Sequence, residues 1–110
     1  MADLVLIIDK AEVTWIPPRF GTYTAIIEQY STTDSVIHLC CDSVKGLTFT
    51  GQNVIPAMYT MMGKSVSLVN RPTAILEVKG PIEFYFLDHK LQRMTTGTPA
   101  IRLIIEEDSK

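Results

Sequence analysis

Short runs of strand-forming residues follow one another along almost the whole chain, and their spacing constrains the fold more than any other feature. The runs are rich in Val, Ile, Thr, Tyr and Phe, and each ends at Gly, Pro, Asn, Asp or Ser. The intervals are too short for the crossover helices that parallel strands require, so the strands should pair antiparallel. The predicted strands cover residues 4–10, 11–16, 22–30, 36–41, 47–50, 65–69, 73–78, 82–87 and 100–106.

Alternating apolar side chains indicate that these strands have one buried and one solvated face. Ile82, Phe84 and Phe86 alternate with Glu83 and Tyr85 along one predicted strand. Strands of this kind bury their apolar faces by packing one antiparallel sheet against another. We therefore predict an all-β fold, an antiparallel two-sheet sandwich of jelly-roll or Greek-key type, with a small closed barrel as the alternative.

The length of the chain limits it to one hydrophobic core, because 110 residues divided in two would leave each half too small to fold unaided. We expect a single domain over residues 1–110. It begins with an extended N-terminal arm and ends in a short acidic tail, residues 106–110.

One segment, residues 54–62, permits a short helix instead of a strand. Asn53 suits an N-cap, Pro56 is tolerated in a first turn, and Gly63 suits the position after the last turn. Methionines three and four residues apart are typical of core packing, or alternatively of an adaptable contact patch. These methionines are Met58, Met61 and Met62.

Charge and hydropathy argue against two classes of partner. The net charge is −2, and the 10 Lys and Arg residues are scattered, so the chain lacks the clustered positive charge that nucleic-acid binding requires. The apolar run at residues 4–8 is too short for a secretory signal or a membrane span. We expect a chain made and kept in a cytosol, with neither nucleic acid nor membrane as its partner.

The two cysteines, Cys40 and Cys41, are adjacent. Neighbours on a strand point to opposite faces, so a disulfide between them would be strained. We predict two free thiols that fill space in the fold, in a reducing compartment.

Known catalytic and cofactor motifs are missing from the sequence. Gly63-Lys64-Ser65 resembles the end of a phosphate-binding loop, but Met58 stands where that motif needs a glycine. The spacings of dinucleotide sites and common zinc sites do not occur either. We predict that the chain is not an enzyme and has no cofactor, no metal and no small-molecule substrate.

A small enzyme or metal protein is a rival hypothesis that depends on three residues. His38 and Cys40 share one face of a predicted strand, and the hypothesis requires the turn that contains His89 to lie close to them in the fold. The simpler interpretation is that His38 is half-buried beside a hydrogen-bond partner and that His89 is an ordinary turn residue.

Aromatic and proline residues are concentrated between residues 14 and 23. This segment contains the one tryptophan of the chain and a Pro-Pro step, which holds a loop extended at low entropic cost. Trp, Tyr and Arg are the commonest anchors at protein interfaces. Alternatively, Trp15 and Tyr23 are core residues that flank an ordinary loop, with Arg19 and Phe20 exposed. The candidate partner-binding residues are Trp15, Pro17, Pro18, Arg19, Phe20 and Tyr23.

The last third of the chain carries a resemblance to a protein family. A Gly80-Pro81 step precedes the aromatic strand in residues 78–87, and a Gly-x-x-x-apolar pattern begins the closing strand in residues 97–105. This ending resembles those of small virion-surface proteins of tailed bacteriophages. The size and strand content also resemble the jelly-roll decoration, or staple, proteins that bind the capsids of short-tailed phages.

The resemblance implies a structural role at the outer capsid surface of a virion. A cement protein of this kind binds the major capsid protein non-covalently and stabilises the filled head, so it needs a stiff scaffold and apolar contact patches. It also implies self-association, expected as a symmetric dimer. The alternative is a carbohydrate- or host-surface-binding module, because jelly-roll sandwiches often stack sugars on exposed aromatic rings.

Overall fold

A computed structural model describes residues 4–31, 36–45, 48–50, 53–62, 66–67, 71–96 and 99–107 of the chain. These residues form strands and turns, and they contain no helix. The strands are β1 (Leu4–Ile8), β2 (Glu12–Trp15), β3 (Gly21–Ser31), β4 (Val36–Cys41), β5 (Thr48–Thr50), β6 (Asn53–Ile55), β7 (Ala57–Met62), β8 (Val66–Ser67), β9 (Thr73–Val78), β10 (Ile82–Leu87) and β11 (Ala100–Glu107).

Two antiparallel sheets make up the fold. In sheet A, β11 lies between β1 and β3, and the other side of β3 pairs with β9 and, near its end, with β8. In sheet B the order is β2-β10-β4-β7, while β5 and β6 pair only with each other. The predicted antiparallel two-sheet sandwich is confirmed.

The chain passes repeatedly between the two sheets. With the β5–β6 hairpin and the short β8 set aside, successive strands enter sheets A, B, A, B, B, A, B and A, and the last strand lies between the first and the third. This is the strand order of a jelly roll. The connections between sheets therefore cross the ends of the sandwich, and the loop from β2 to β3 lies at one such end.

Alternate side chains from both sheets form the core between them. Phe84 and Phe86 of β10 and Leu103 of β11 are fully buried, whereas Glu83 and Arg102, which lie between inward-facing neighbours, are exposed. The alternation predicted for β10 is confirmed, and β11 alternates in the same way. Strands β3, β9, β10 and β11 each bury one face, so a slip of one residue in their pairing would expose the buried set. Strand β4 differs, because all its residues from Ile37 to Cys41 are buried.

The predicted helix over residues 54–62 is wrong, because this segment forms β6 and β7 instead. Val54 pairs with Phe49 in the hairpin, and β7 pairs along β4, with Met61 opposite Ile37. Pro56 separates the two strands. Pairing with β4 supplies hydrogen bonds and core contacts along β7, which outweighs the modest helix preference of Ala and Met. Met58 and Met61 are core residues, as one of the two alternatives predicted.

Some predicted features differ at their ends or lie outside the described residues. A strand forms where one was predicted over residues 4–10, at the edge of sheet A, but it ends at Ile8. Glu106 and Glu107 belong to β11 rather than to a tail. Leu47, Gly63 and residues 68–69 and 108–110 lie outside the described residues, as do several predicted turns.

The core predicts a large difference between two phenylalanine truncations. Phe84→Ala removes a fully buried ring and should lower the free energy of unfolding by about 3–5 kcal/mol, measured by urea denaturation. Phe20→Ala, in an exposed loop, should change it by no more than about 0.5 kcal/mol. Similar losses for the two variants would contradict the core described above.

Candidate binding surface

The loop that joins β2 to β3, residues 16–20, is held at its base by aromatic packing. We call it the Pro-Pro loop. Trp15 meets Tyr23 edge to face, with 5.4 Å between the ring centroids, a favourable geometry for two aromatic rings. The Tyr23 hydroxyl, itself buried, donates a hydrogen bond of 2.8 Å to the Arg19 carbonyl oxygen. The loop is thereby tied to the strand that follows it.

Two further features restrict the Pro-Pro loop. Pro17 is buried, so its ring, already restricted in φ, is also packed. The Arg19 guanidinium lies 3.7 Å from the Glu107 carboxylate on β11. This ion pair is exposed on the arginine side and adds little stability by itself, but it restricts the direction of the loop.

The loop presents two large apolar side chains to solvent. Ile16 is 73 % exposed and Phe20 is 72 % exposed, and both flank the rigid Pro17-Pro18 step. Each side chain, when covered by a partner, would contribute about 1.5–3 kcal/mol. An exposed apolar pair on a loop that is already ordered is a typical anchor for a protein partner.

The structure divides the predicted partner-binding residues into two groups. Arg19, Pro18 and Phe20 are exposed, as expected for Arg19 and Phe20. Trp15 is partly buried against the core, and Tyr23 and Pro17 are buried. The buried members therefore support the loop, and a partner would touch the exposed members.

Sequence reasoning did not select Ile16 as a site residue. The signal was present in the alternation of β2, because Val13 and Trp15 pack against the core and the next residue after Trp15 falls on the opposite face. Phe20 stood out only as one aromatic residue among several, and its exposure depends on the path of the loop.

The position of Trp15 bears on the carbohydrate-binding alternative. A sugar platform needs an open aromatic face, whereas one ring contact of Trp15 is already made with Tyr23 and its remainder packs against the core. Phe20 is the exposed aromatic side chain of this loop. The alternative stays a prediction.

A charged network covers part of the outer face of sheet B. The Arg93 guanidinium lies 4.3 Å from the centroid of the Tyr85 ring, and it contacts the carboxylates of Glu12 at 3.2 Å and Glu83 at 3.0 Å. Its hydrogen bond lowers the pKa of Glu83 below the ordinary carboxylate range. The Tyr85 hydroxyl also donates to Asp42 at 3.2 Å. Every charge in this network has a partner, so it holds the segment after β10 against the sheet.

The three residues of the rival metal hypothesis do not form a metal site. The His38 ring is buried, and its Nδ1 lies 2.8 Å from the Thr60 hydroxyl. Cys40 is buried beside it and His89 lies exposed in the turn after β10. Among the described residues no group of three or more His, Cys, Asp or Glu side chains is arranged to hold a metal ion. The hydrogen-bond partner that the simpler interpretation expected for His38 is confirmed, but the side chain is buried rather than half-buried.

Burial disfavours the charged forms of the two thiols and of the histidine. It raises the pKa of Cys40 to about 12 and that of Cys41 to about 11, and nearby Asp42 acts in the same direction on both. A thiol reacts through its thiolate, so neither cysteine is activated as a nucleophile. Burial also lowers the pKa of His38 below its ordinary value, which favours the neutral ring.

A cleft of about 430 Å³ opens where residues 42–44 meet the turn between β9 and β10. The residues that line it include Asp42, Glu77 and Lys79. These side chains offer charge to a polar ligand, but they do not form a recognisable nucleophile and base pair.

Over the part of the chain that the structure describes, no helix is long and apolar enough to span a membrane.

Comparison of the chain with protein-family models, with curated proteins and with solved structures finds no match. The proposals below therefore depend on the geometry of the fold and on the resemblance of the C-terminal segment.

The buried histidine predicts a pH dependence of stability. Because the pKa of His38 is lower in the folded chain than in the unfolded chain, unfolding takes up a proton as the pH falls below the ordinary histidine value of about 6.5. The contribution of His38 to the free energy of unfolding should therefore be fully present above that pH. Below it, the free energy of unfolding should decrease by at most about 1.4 kcal/mol per pH unit.

Chemical denaturation between about pH 7.5 and pH 5.5 tests this dependence, because carboxylates with lowered pKa titrate below that window. His38→Asn should flatten the decrease, since the asparagine amide lies at the position of Nδ1 and can keep the hydrogen bond to Thr60 but does not titrate. His89→Asn, in the exposed turn, is the matched control and should keep the wild-type slope. An unchanged slope in His38→Asn would show that another group causes the dependence.

Proposed function

We propose that this chain is a structural virion protein, a decoration protein that binds the outside of a phage capsid and stabilises contacts of the major capsid protein. One observation carries the proposal: Ile16 and Phe20 are exposed on an ordered loop. The loop is held by the hydrogen bond from Tyr23, by the buried ring of Pro17 and by the ion pair with Glu107. The loop offers an apolar anchor that is already ordered before any partner arrives.

The rigidity of the loop matters because ordering a flexible loop at an interface costs binding free energy. Here the Pro-Pro step fixes two backbone φ angles and the Tyr23 hydrogen bond fixes the Arg19 carbonyl. Burial of Ile16 and Phe20 against a partner would contribute about 3–6 kcal/mol together, as the sum of two large apolar side chains. This is enough for a useful contact if each capsid offers many equivalent sites.

The scaffold suits a protein that binds without performing a reaction. Both cysteines have raised pKa values, the buried histidine favours its neutral form, and the charged network on sheet B is internally paired. Ile16 and Phe20 are exposed apolar side chains that a partner surface could cover. We infer that binding of a protein surface, rather than of nucleic acid, membrane or a small molecule, is the task of the chain.

The phage assignment adds the identity of the partner. It is supported by the resemblance of residues 78–87 and 97–105 to the endings of virion-surface proteins, and by a strand order that decoration proteins of short-tailed phages are expected to share. In this proposal the chain is made in the bacterial cytoplasm, binds filled heads in many copies, and associates with itself as a dimer. Mass action then stabilises the head, because the chain binds the assembled shell and not its separated subunits.

Filled heads from the phage genome that encodes this chain test the proposal. Heads prepared with the gene deleted should release DNA at a lower temperature, or on milder chelator treatment, than heads with the gene intact. Added chain at about 100 times its dissociation constant should restore resistance by about 2.7 kcal/mol per site. Equal resistance with and without the chain, or a genome without head genes, would contradict the proposal.

The same heads test the contact loop. Phe20→Ser should bind them at least about tenfold more weakly, because one large apolar anchor is lost. Val54→Ser replaces another exposed apolar side chain, on the β5–β6 hairpin, and serves as the matched control with unchanged affinity. Equal affinity of both variants would place the contact elsewhere on the chain.

A further inference from the structure

The first strand leaves an apolar edge of sheet A open. β1 pairs with β11 on one side, and none of the described residues pairs with its other side. Its sequence, Leu-Val-Leu-Ile-Ile, contains neither a charge nor a proline. An unpaired edge presents backbone N–H and C=O groups to any strand that can approach, and natural proteins usually protect such edges.

Two other edges of this sandwich are protected in recognised ways. Residues 43–45 cross the free side of β9, where the Lys45 amide donates to the Ile75 carbonyl at 2.7 Å and the Glu77 amide donates to the Ser43 carbonyl at 2.8 Å. The edge strand β2 is only 4 residues long, carries Glu12, and runs into the Pro-Pro loop. β1 is similarly short, with 5 residues, but it carries no charge, does not run into a proline step, and is not crossed by any of the described residues.

The outer face of β1 continues an apolar row across sheet A. Val5 is 45 % exposed and Ile7 is 55 % exposed. Val5 lies opposite Ile104 of β11, and Ile104 lies opposite Ile26 of β3. The row therefore runs from the centre of the sheet to its open edge, where an added strand would extend it with further cross-strand pairs.

We propose that β1 of a second copy of this chain pairs antiparallel with β1 around a two-fold axis at Leu6, which joins the two A sheets into one. In this register Leu4 lies opposite Ile8 and Val5 lies opposite Ile7 of the partner copy. Outward residues meet outward residues, and core-facing residues meet core-facing residues, as an axis perpendicular to the sheet requires. The pairing would form about four to six backbone hydrogen bonds.

Self-complementarity favours a second copy as the occupant. Every opposed pair in this register is apolar, so no like charges face each other within the strand. A two-fold contact uses the open edge of both copies and closes the assembly at two, whereas an open-ended contact would produce a fibre. The strand is short, so the interface falls in the small, transient class and the dissociation constant should be roughly 10–100 µM.

This inference deepens the self-association in the proposed function, but it depends on β1 alone and not on the Pro-Pro loop or a capsid. If the β1 dimer does not form, the proposal of capsid binding is unaffected. If Phe20→Ser weakens head binding, the proposal of the β1 dimer is unaffected. The two proposals are therefore tested separately.

Sedimentation equilibrium of the purified chain from about 1 to 500 µM should show a monomer–dimer equilibrium. Val5→Lys and Ile7→Glu, each alone, should raise the dissociation constant at least about tenfold, because a charge then faces an apolar residue of the partner copy. An equal mixture of the two variants should associate within about threefold of the wild type, because the introduced lysine and glutamate then lie opposite each other.

Ile75→Lys is the matched control, since Ile75 is exposed on the same face of sheet A but lies on β9, away from the open edge. It should dimerise like the wild type. A wild-type chain that stays monomeric to about 500 µM would overturn the proposal. So would equal weakening by Ile75→Lys, which would indicate packing of one sheet face on another, or a mixture that fails to recover. Circular dichroism and a urea titration of each variant confirm that it is folded.

Discussion

The inner side chains of β10 and β11 meet in one cluster between the sheets, and the rest of the structure depends on this packing. Phe84 and Phe86 come from sheet B, and Ile101 and Leu103 come from sheet A. Because the side-chain period of a strand is two, burial of these residues fixes which face of every neighbouring strand is wet. The position of β11 between β1 and β3 also joins the last strand of the described chain to its first and third strands.

Local irregularities occur where this packing and the pairing register conflict. Arg102 pairs with Gln29 and Leu103 with Ile27, so Glu28 is an extra residue in β3. Its carboxylate accepts a hydrogen bond from Arg102 at 2.8 Å. Such a bulge keeps the buried residues of both strands in phase and turns the unmatched side chain into a surface ion pair.

The two proposed contact surfaces follow from what the core leaves uncovered. The Pro-Pro loop connects the sheets at one end of the sandwich, and β1 ends one side of sheet A. They share no residue, so both can be occupied at once. A dimer formed through β1 would carry two Pro-Pro loops, and two linked contacts on a repeated surface bind more tightly than either alone when the spacing matches.

Local sequence patterns determined the fold class and most strand positions of this protein. β4, β9 and β10 begin and end at the predicted residues, because apolar alternation and turn residues act within a few positions of each other. The buried cysteines and the exposure of Phe20 and Arg19 were also accessible from the sequence.

Tertiary structure alone decided the features that depend on distant partners. The segment after Pro56 has residues compatible with a helix, and its pairing with β4 made it a strand. Arg93 reaches Glu12, 81 positions away in the chain, and no local pattern reports such a pair. Whether β1 would be a free arm or an open sheet edge likewise depended on β11, almost a full chain length away. Short-range patterns show which residues are apolar enough to be buried, but only the assembled sheets determine which of them are buried.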